Sequence, residues 1–179
     1  MEILKALESS FNHTSGVIAG VQASQYNDKT PCEEWNVREL LEHTIGVVAG
    51  MGASVTGSAR SEFVLSSDPK AQFDELAAAT LSAWKTPGIL EQIIDGGAGP
   101  MPGSVLARIN LLDTTTHAWD LAKATGQEAI LPEDLATTAL KVAQGTISEE
   151  IRPGRFAPEI KMDNVGPTER LAAFLGRMP

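Results

Sequence analysis

Apolar residues recur every three or four positions from the start of the chain: Ile3, Leu4, Leu7, Phe11, Val17, Ile18 and Val21 fall on one side of a helix of about twenty residues. Such a stripe faces a core. After the Thr30-Pro31 break, Asn36 followed by Glu39 has the spacing of a capping box, and Val37, Leu40, Leu41, Thr44, Val48 and Met51 give the inward face of a second helix over about 37–51. Residues 52–67, rich in Gly, Ser and Ala with few apolar anchors, predict a connecting loop. Asp68 as cap and Pro69 as first helical residue then start a third helix. Its inward positions are Phe73, Leu76, Thr80, Leu81 and Trp84, and Pro87-Gly88 stops it.

The run Gly96-Gly97-Ala98-Gly99-Pro100, with Pro102, predicts irregular structure between Gly88 and Gly103. Ser104 is placed to cap a fourth helix reaching about Thr125, with Gly126 as its stop and Lys123 near the negative end of its dipole. A fifth helix begins at Leu131-Pro132 and runs to the Arg152-Pro153 break. The proline-punctuated remainder carries a short helix over about 168–175. A period near 3.6 dominates every apolar run longer than ten residues, so the chain reads as all-α, with no sheet beyond short segments of the tail.

Composition narrows the class. A chain of 179 residues fits a single domain, here 1–179, with a bundle over about 1–151 and a C-terminal extension over about 152–179. Its 23 acidic against 14 basic side chains, a formal net charge of -9, would repel phosphate backbones and anionic membrane surfaces, so neither nucleic acid nor membrane is an expected partner. Cys32 is the single cysteine, which excludes an intrachain disulfide and a thiolate-rich structural zinc site. The opening MEILKALESS has neither the basic nor the apolar region of a secretory signal, and no run is long enough to span a bilayer. A cytoplasmic protein is expected.

The candidate chemistry lies in three side chains. Asp113 and His117 stand four apart on the fourth helix, so their Cβ atoms lie roughly 5–6 Å apart on one face. Two donors at that distance can share one metal ion. His43, on the flank of the second helix's apolar stripe, is placed to point inward as a third donor, whereas His13 falls outside its stripe. Two imidazoles and a carboxylate that leave positions open suit zinc or another late divalent metal, in a site that still admits water or substrate. Spacing alone also allows a second reading, in which Asp113 and His117 are a helix-surface pair and His43 bonds a backbone carbonyl. Trp35 and Trp119 read either as pocket lining or as core. Asp120 reads either as an acceptor that orients a ligand histidine or as an exposed partner of Lys123 or Lys141, and Cys32 either as a group that approaches the metal or, by preference, as a small apolar filler.

A wider pattern supports the metal reading. The runs Thr30-Pro31-Cys32-Glu33-Glu34-Trp35-Asn36-Val37-Arg38-Glu39-Leu40-Leu41-Glu42-His43 and Asp113-Thr114-Thr115-Thr116-His117-Ala118-Trp119-Asp120-Leu121-Ala122-Lys123-Ala124-Thr125-Gly126 resemble an actinobacterial branch of the DinB-like superfamily. That branch is similar to the N-terminal domain of mycothiol-dependent maleylpyruvate isomerase. The closing stretch Glu169-Arg170-Leu171-Ala172-Ala173-Phe174-Leu175-Gly176-Arg177 is similar to the same branch's C-terminal signature.

The resemblance implies a DinB-like four-helix bundle of up-down-down-up connectivity, with His43, Asp113 and His117 as ligands of a divalent ion: zinc, with nickel or iron as alternatives. Many relatives carry glutamate or histidine where this chain has Asp113, so the ligand's reach is shorter here. It further implies a low-molecular-weight thiol of the mycothiol type, or bacillithiol elsewhere, as cofactor, and a transferase or isomerase reaction on a small electrophile. A homodimer also fits the resemblance. Little sequence remains after Ile151, so residues that the isomerase draws from its second domain are missing and the substrate is left open. The alternative is a non-catalytic metal- or small-ligand-binding module, since fold does not decide function. Simple hydrolysis by a metal-bound water has no distinct second base at a readable spacing.

Overall fold

The computed structural model describes residues 1–32, 35–97 and 99–179; Glu33 and Glu34 of the first matching run, and Ala98 of the glycine run, lie outside the described residues. Six helices account for most of the chain: α1 (Ile3–Gly20), α2 (Val37–Thr56), α3 (Pro69–Trp84), α4 (Gly103–Ala124), α5 (Glu133–Thr146) and α6 (Pro167–Phe174). α1 packs on α3 and α4, and α2 packs on the same two helices, so the first four enclose one core. Phe11, Leu40, Leu41, Ile45, Phe73, Trp84 and Leu111 fill it.

Local chemistry sets two of the helix starts as expected. Asn36 Oδ1 accepts from the Glu39 amide while Glu39 Oε2 accepts from the Asn36 amide, both at 2.9 Å. Asp68 Oδ1 accepts from the Ala71 amide at 3.0 Å, with Pro69 at the first helical position. Ser104 does not cap α4: the helix begins one residue earlier, and the capping position is held by Pro102. Gly103 is needed there, because a Cβ would lie 2.2 Å from the Ile89 carbonyl oxygen.

α2 runs five residues beyond the expected end at Met51 and stops at Gly57, whose φ of 70° is left-handed. Gly52, the first residue of the loop expected over 52–67, is a helical packing contact. A Cβ on it would stand 2.5 Å from Thr80 Oγ1, and that buried hydroxyl donates to the Val48 carbonyl at 3.0 Å, joining α3 to α2. Gly52→Ala would gain about 1 kcal/mol of helix propensity but would displace the hydroxyl or part the helices, at a cost of about 1–3 kcal/mol for each effect. A net loss of about 2 kcal/mol is expected in urea unfolding; an unchanged midpoint would mean the close approach carries no energy.

The segment expected to be irregular contains a two-stranded antiparallel hairpin, β1 (Ile93–Asp95) with β2 (Pro100–Pro102), pairing Ile94 with Met101. The small sheet therefore lies before α4 and not in the tail. Its glycines make the reversal possible: Gly97 and Gly99 have φ of 94° and 101°, and the Gly97 amide donates to Asp95 Oδ1 at 2.7 Å. α5 ends at Thr146, before the Arg152-Pro153 break, and turns follow.

α4 has no single apolar stripe because it is covered on more than one side. Leu106, Ala107, Leu111 and Leu121 enter the main core, while Leu112 enters a second core with Leu135's neighbours Ala136 and Ala139 of α5 and Leu171 of α6. Its polar residues Asn110, Thr114, Thr115, His117 and Asp120 are buried and bonded to neighbours; Ser10 of α1 meets Thr115, oxygen to oxygen, at 2.9 Å. Among the described residues, no helix is long and apolar enough to cross a membrane.

Candidate metal centre

The α2–α4 contact brings the three expected side chains together. His43 Nε2 lies 3.2 Å from Asp113 Oδ2, and His117 Nε2 lies 3.7 Å from the same oxygen. The two imidazole rings meet edge to face with centroids 4.9 Å apart. One donor atom from each of the three residues lies within 4.8 Å of the other two. His43 and Asp113 keep 27% and 23% of their side-chain surface exposed, so the cluster can be reached from solvent.

Asp113 Oδ1 is buried and, among the described residues, has no hydrogen-bond partner. A carboxylate oxygen left in that state normally costs about 1–3 kcal/mol or more, so its retention argues for a cation or proton that meets it.

Behind His117 stands Asp120, fully buried, with Oδ2 3.1 Å from His117 Nδ1. Arg177 donates to it twice, Nε to Oδ1 at 2.7 Å and Nη2 to Oδ2 at 2.8 Å. Burial by itself would raise the Asp120 carboxyl, but the bonds from His117 and Arg177 outweigh that and hold it below the ordinary range; Arg177 is held above its own. An ionised Asp120 only accepts, so the bond between them is donated by His117 Nδ1–H, which leaves Nε2 on the side of Asp113. The two sequence readings of Asp120 are thereby separated: it is the acceptor behind a candidate ligand, while Lys123 lies over the Trp119 ring at 5.5 Å.

A depressed acid contributes stability that is present above its unfolded value, about 3.9, and is lost as pH falls through the lower folded value. In chelator-treated protein, the thermal midpoint should therefore fall more steeply from pH 5 to pH 2 in wild type than in Asp120→Asn/Arg177→Met. Equal slopes would remove the Asp120 contribution.

Trp35 and Cys32 complete the surroundings. The Trp35 indole stacks on His43, with centroids 4.3 Å apart and planes 26° apart, and presents an edge to His117 at 5.7 Å. Of its two sequence readings, packing is the observed one: Trp35 lies partly buried against the main core. Cys32, for which a filler is the preferred sequence reading and approach to the cluster the other, has its sulfur within 4.8 Å of donor atoms of His117 and Asp120. The signal for both was their position in the loop whose Asn36 cap starts α2, which fixes that loop beside His43. His13 belongs to neither donor group; it is partly buried on α1, and burial lowers its pKa.

A pocket of about 310 Å³ opens beside His43, between α2 and the segments at Arg60, Phe63 and Gly96. Gly46 and Gly50 of α2 provide its space: a Cβ at Gly46 would press on the Phe63 ring at 3.3 Å. The volume is at the lower end of small-ligand sites.

These features define a mainly helical protein with a solvent-accessible histidine–carboxylate cluster and an adjoining open pocket. The chain belongs to the mycothiol maleylpyruvate isomerase N-terminal domain family, whose sequence profile matches residues 7–122. It is also 33% identical over 187 aligned positions to uncharacterized proteins of two Mycobacterium tuberculosis strains, CDC 1551 and ATCC 25618, covering 99% of this chain and 98% of each relative. No solved structure matches the chain.

Proposed function

We propose that His43, Asp113 and His117 hold one divalent metal ion, zinc by preference, and that the protein uses it with a mycothiol-type thiol in a transfer or isomerisation reaction on a small electrophile. The observation that carries this reading is the buried, unpartnered Asp113 Oδ1 in a cluster where two imidazole Nε2 atoms converge on the same carboxylate. Two nitrogens and an oxygen are a donor set of the kind catalytic zinc sites use with a position left open. The bound ion would supply a Lewis acid that keeps a thiol ionised at neutral pH.

The chain's own residues have separable tasks. Asp120 keeps the proton of His117 on Nδ1. Trp35 covers one face of His43 and shields it from water. The pocket beside His43 gives an electrophile a place to bind within reach of the cluster. Family membership supports the choice of thiol.

The test is consumption of mycothiol against a panel of small electrophiles by full-length protein, with zinc and after chelation. Zinc-dependent conjugation or isomerisation that disappears in His43→Ala is the expected result. Stoichiometric zinc binding without any thiol turnover would favour a binding module instead.

A further inference from the structure

The end of the chain reaches the donor cluster through one side chain. Arg177, third from the last residue, follows Gly176, whose φ of 79° turns the backbone after α6. The turn is fixed: the Gly176 amide donates to the Ala173 carbonyl at 3.0 Å and the Arg177 amide to the Ala172 carbonyl at 2.9 Å. A Cβ at Gly176 would stand 2.6 Å from Ala157, so the turn also packs against the preceding segment. The result aims a partly buried guanidinium at Asp120, 57 positions earlier, with two N–H bonds to its two oxygens. The family profile ends at residue 122, so this partner lies in the part of the chain beyond it.

We infer that Arg177 is a positioning residue for the metal centre: acting through Asp120, it fixes the ring plane and tautomer of His117, so that metal binding and docking of the C-terminal extension are coupled. The inference rests on the metal reading above. The physical warrant is a division of labour on one carboxylate. Arg177 pairs with a fully buried carboxylate that would otherwise swing toward water, and its paired geometry leaves Oδ2 in place to accept from His117 Nδ1. Groups that orient a ligand histidine typically change metal affinity about 10- to 100-fold when removed. Coupling is reciprocal, so an ion that is held better with the extension docked must also hold the extension down.

The experiment uses the full chain with zinc alone. Wild type, Arg177→Lys, Arg177→Met and Asp120→Asn/Arg177→Met are compared by chelator competition, by hydrogen exchange of the amides of 167–174 with and without zinc, and by nitrogen-15 spectra of His117 in metal-free protein. Arg177→Met should bind zinc about 10- to 100-fold more weakly, with Arg177→Lys between it and wild type. Zinc should slow exchange across 167–174 in wild type and not in Arg177→Met. Metal-free His117 should be the Nδ1-protonated tautomer in wild type and a mixture in Arg177→Met.

If Arg177→Met does not fold, the double variant is decisive, because it buries no unpaired charge and retains an acceptor for His117; it should still bind zinc more weakly than wild type. Wild-type affinity in either variant, with no effect of zinc on the extension, overturns the inference. If wild type takes up no zinc, the metal reading fails, and an unchanged His117 tautomer in Arg177→Met would then overturn the positioning role on its own.

Discussion

His117→Ala is expected to remove stoichiometric zinc binding while leaving the helical far-ultraviolet signal intact. In the proposed site either histidine would supply one of three protein donors, so its loss should weaken binding far beyond about 100-fold, more than removing an orienting group does. The fold has reason to survive. The core is held by Leu40, Leu41, Ile45, Phe73, Trp84 and Leu111, none of which depends on the imidazole. Asp120 also keeps both bonds from Arg177 after the change. His43→Ala should behave alike, being partly exposed. Asp113→Asn should weaken binding less completely, because an amide oxygen still coordinates but brings no charge. Elemental analysis of zinc-loaded protein checks the series: about one equivalent in wild type and none in either histidine variant. Binding that survives loss of both histidines would mean that other residues are the ligands.

The second large effect is on stability. Trp84 is fully buried, and its Nε1–H donates to Asn110 Oδ1 at 3.1 Å. Trp84→Ala removes the ring, about 3–5 kcal/mol in such cores, and leaves a buried amide oxygen without its donor, about 1–3 kcal/mol more. Against a total of about 5–15 kcal/mol for an ordinary domain, the variant should be close to unfolded at 37 °C. Trp84→Phe retains most of the packing and should lose mainly the hydrogen bond. Urea titration separates the two: equal midpoints for them would show that the ring's packing matters little, and a Trp84→Phe midpoint equal to that of wild type would show the same of the indole N–H.

What the sequence made legible follows the range of the interactions involved. The cap at Asn36 and the start at Asp68-Pro69 are set within four residues, and both were readable. The end of α2 was not, because Gly52 is a stop signal locally and a contact only when Thr80 is against it. The hairpin at 93–102 was hidden because its glycines and prolines, which permit a tight reversal between two three-residue strands, resemble an irregular segment. In the site, the spacing of Asp113 and His117 was visible as a pair without a partner. The inward placement of His43 was readable from its flank of the apolar stripe, but its approach to that pair required the α2–α4 packing, which periodicity does not fix. Asp120 stayed ambiguous for the same reason, since its partner Arg177 is 57 positions away.

The burial of α4 divides the candidate site into a fixed half and an adaptable half. Asp113 and His117 ride on a helix held between two cores, so substitutions that loosen the surface leave their separation unchanged. The opposite wall of the pocket is formed by Arg60, Phe63 and Gly96, on connections outside the six helices. Substitutions in those connections can therefore reshape the pocket while Asp113 and His117 stand still, so relatives that keep these two side chains need not keep the same pocket.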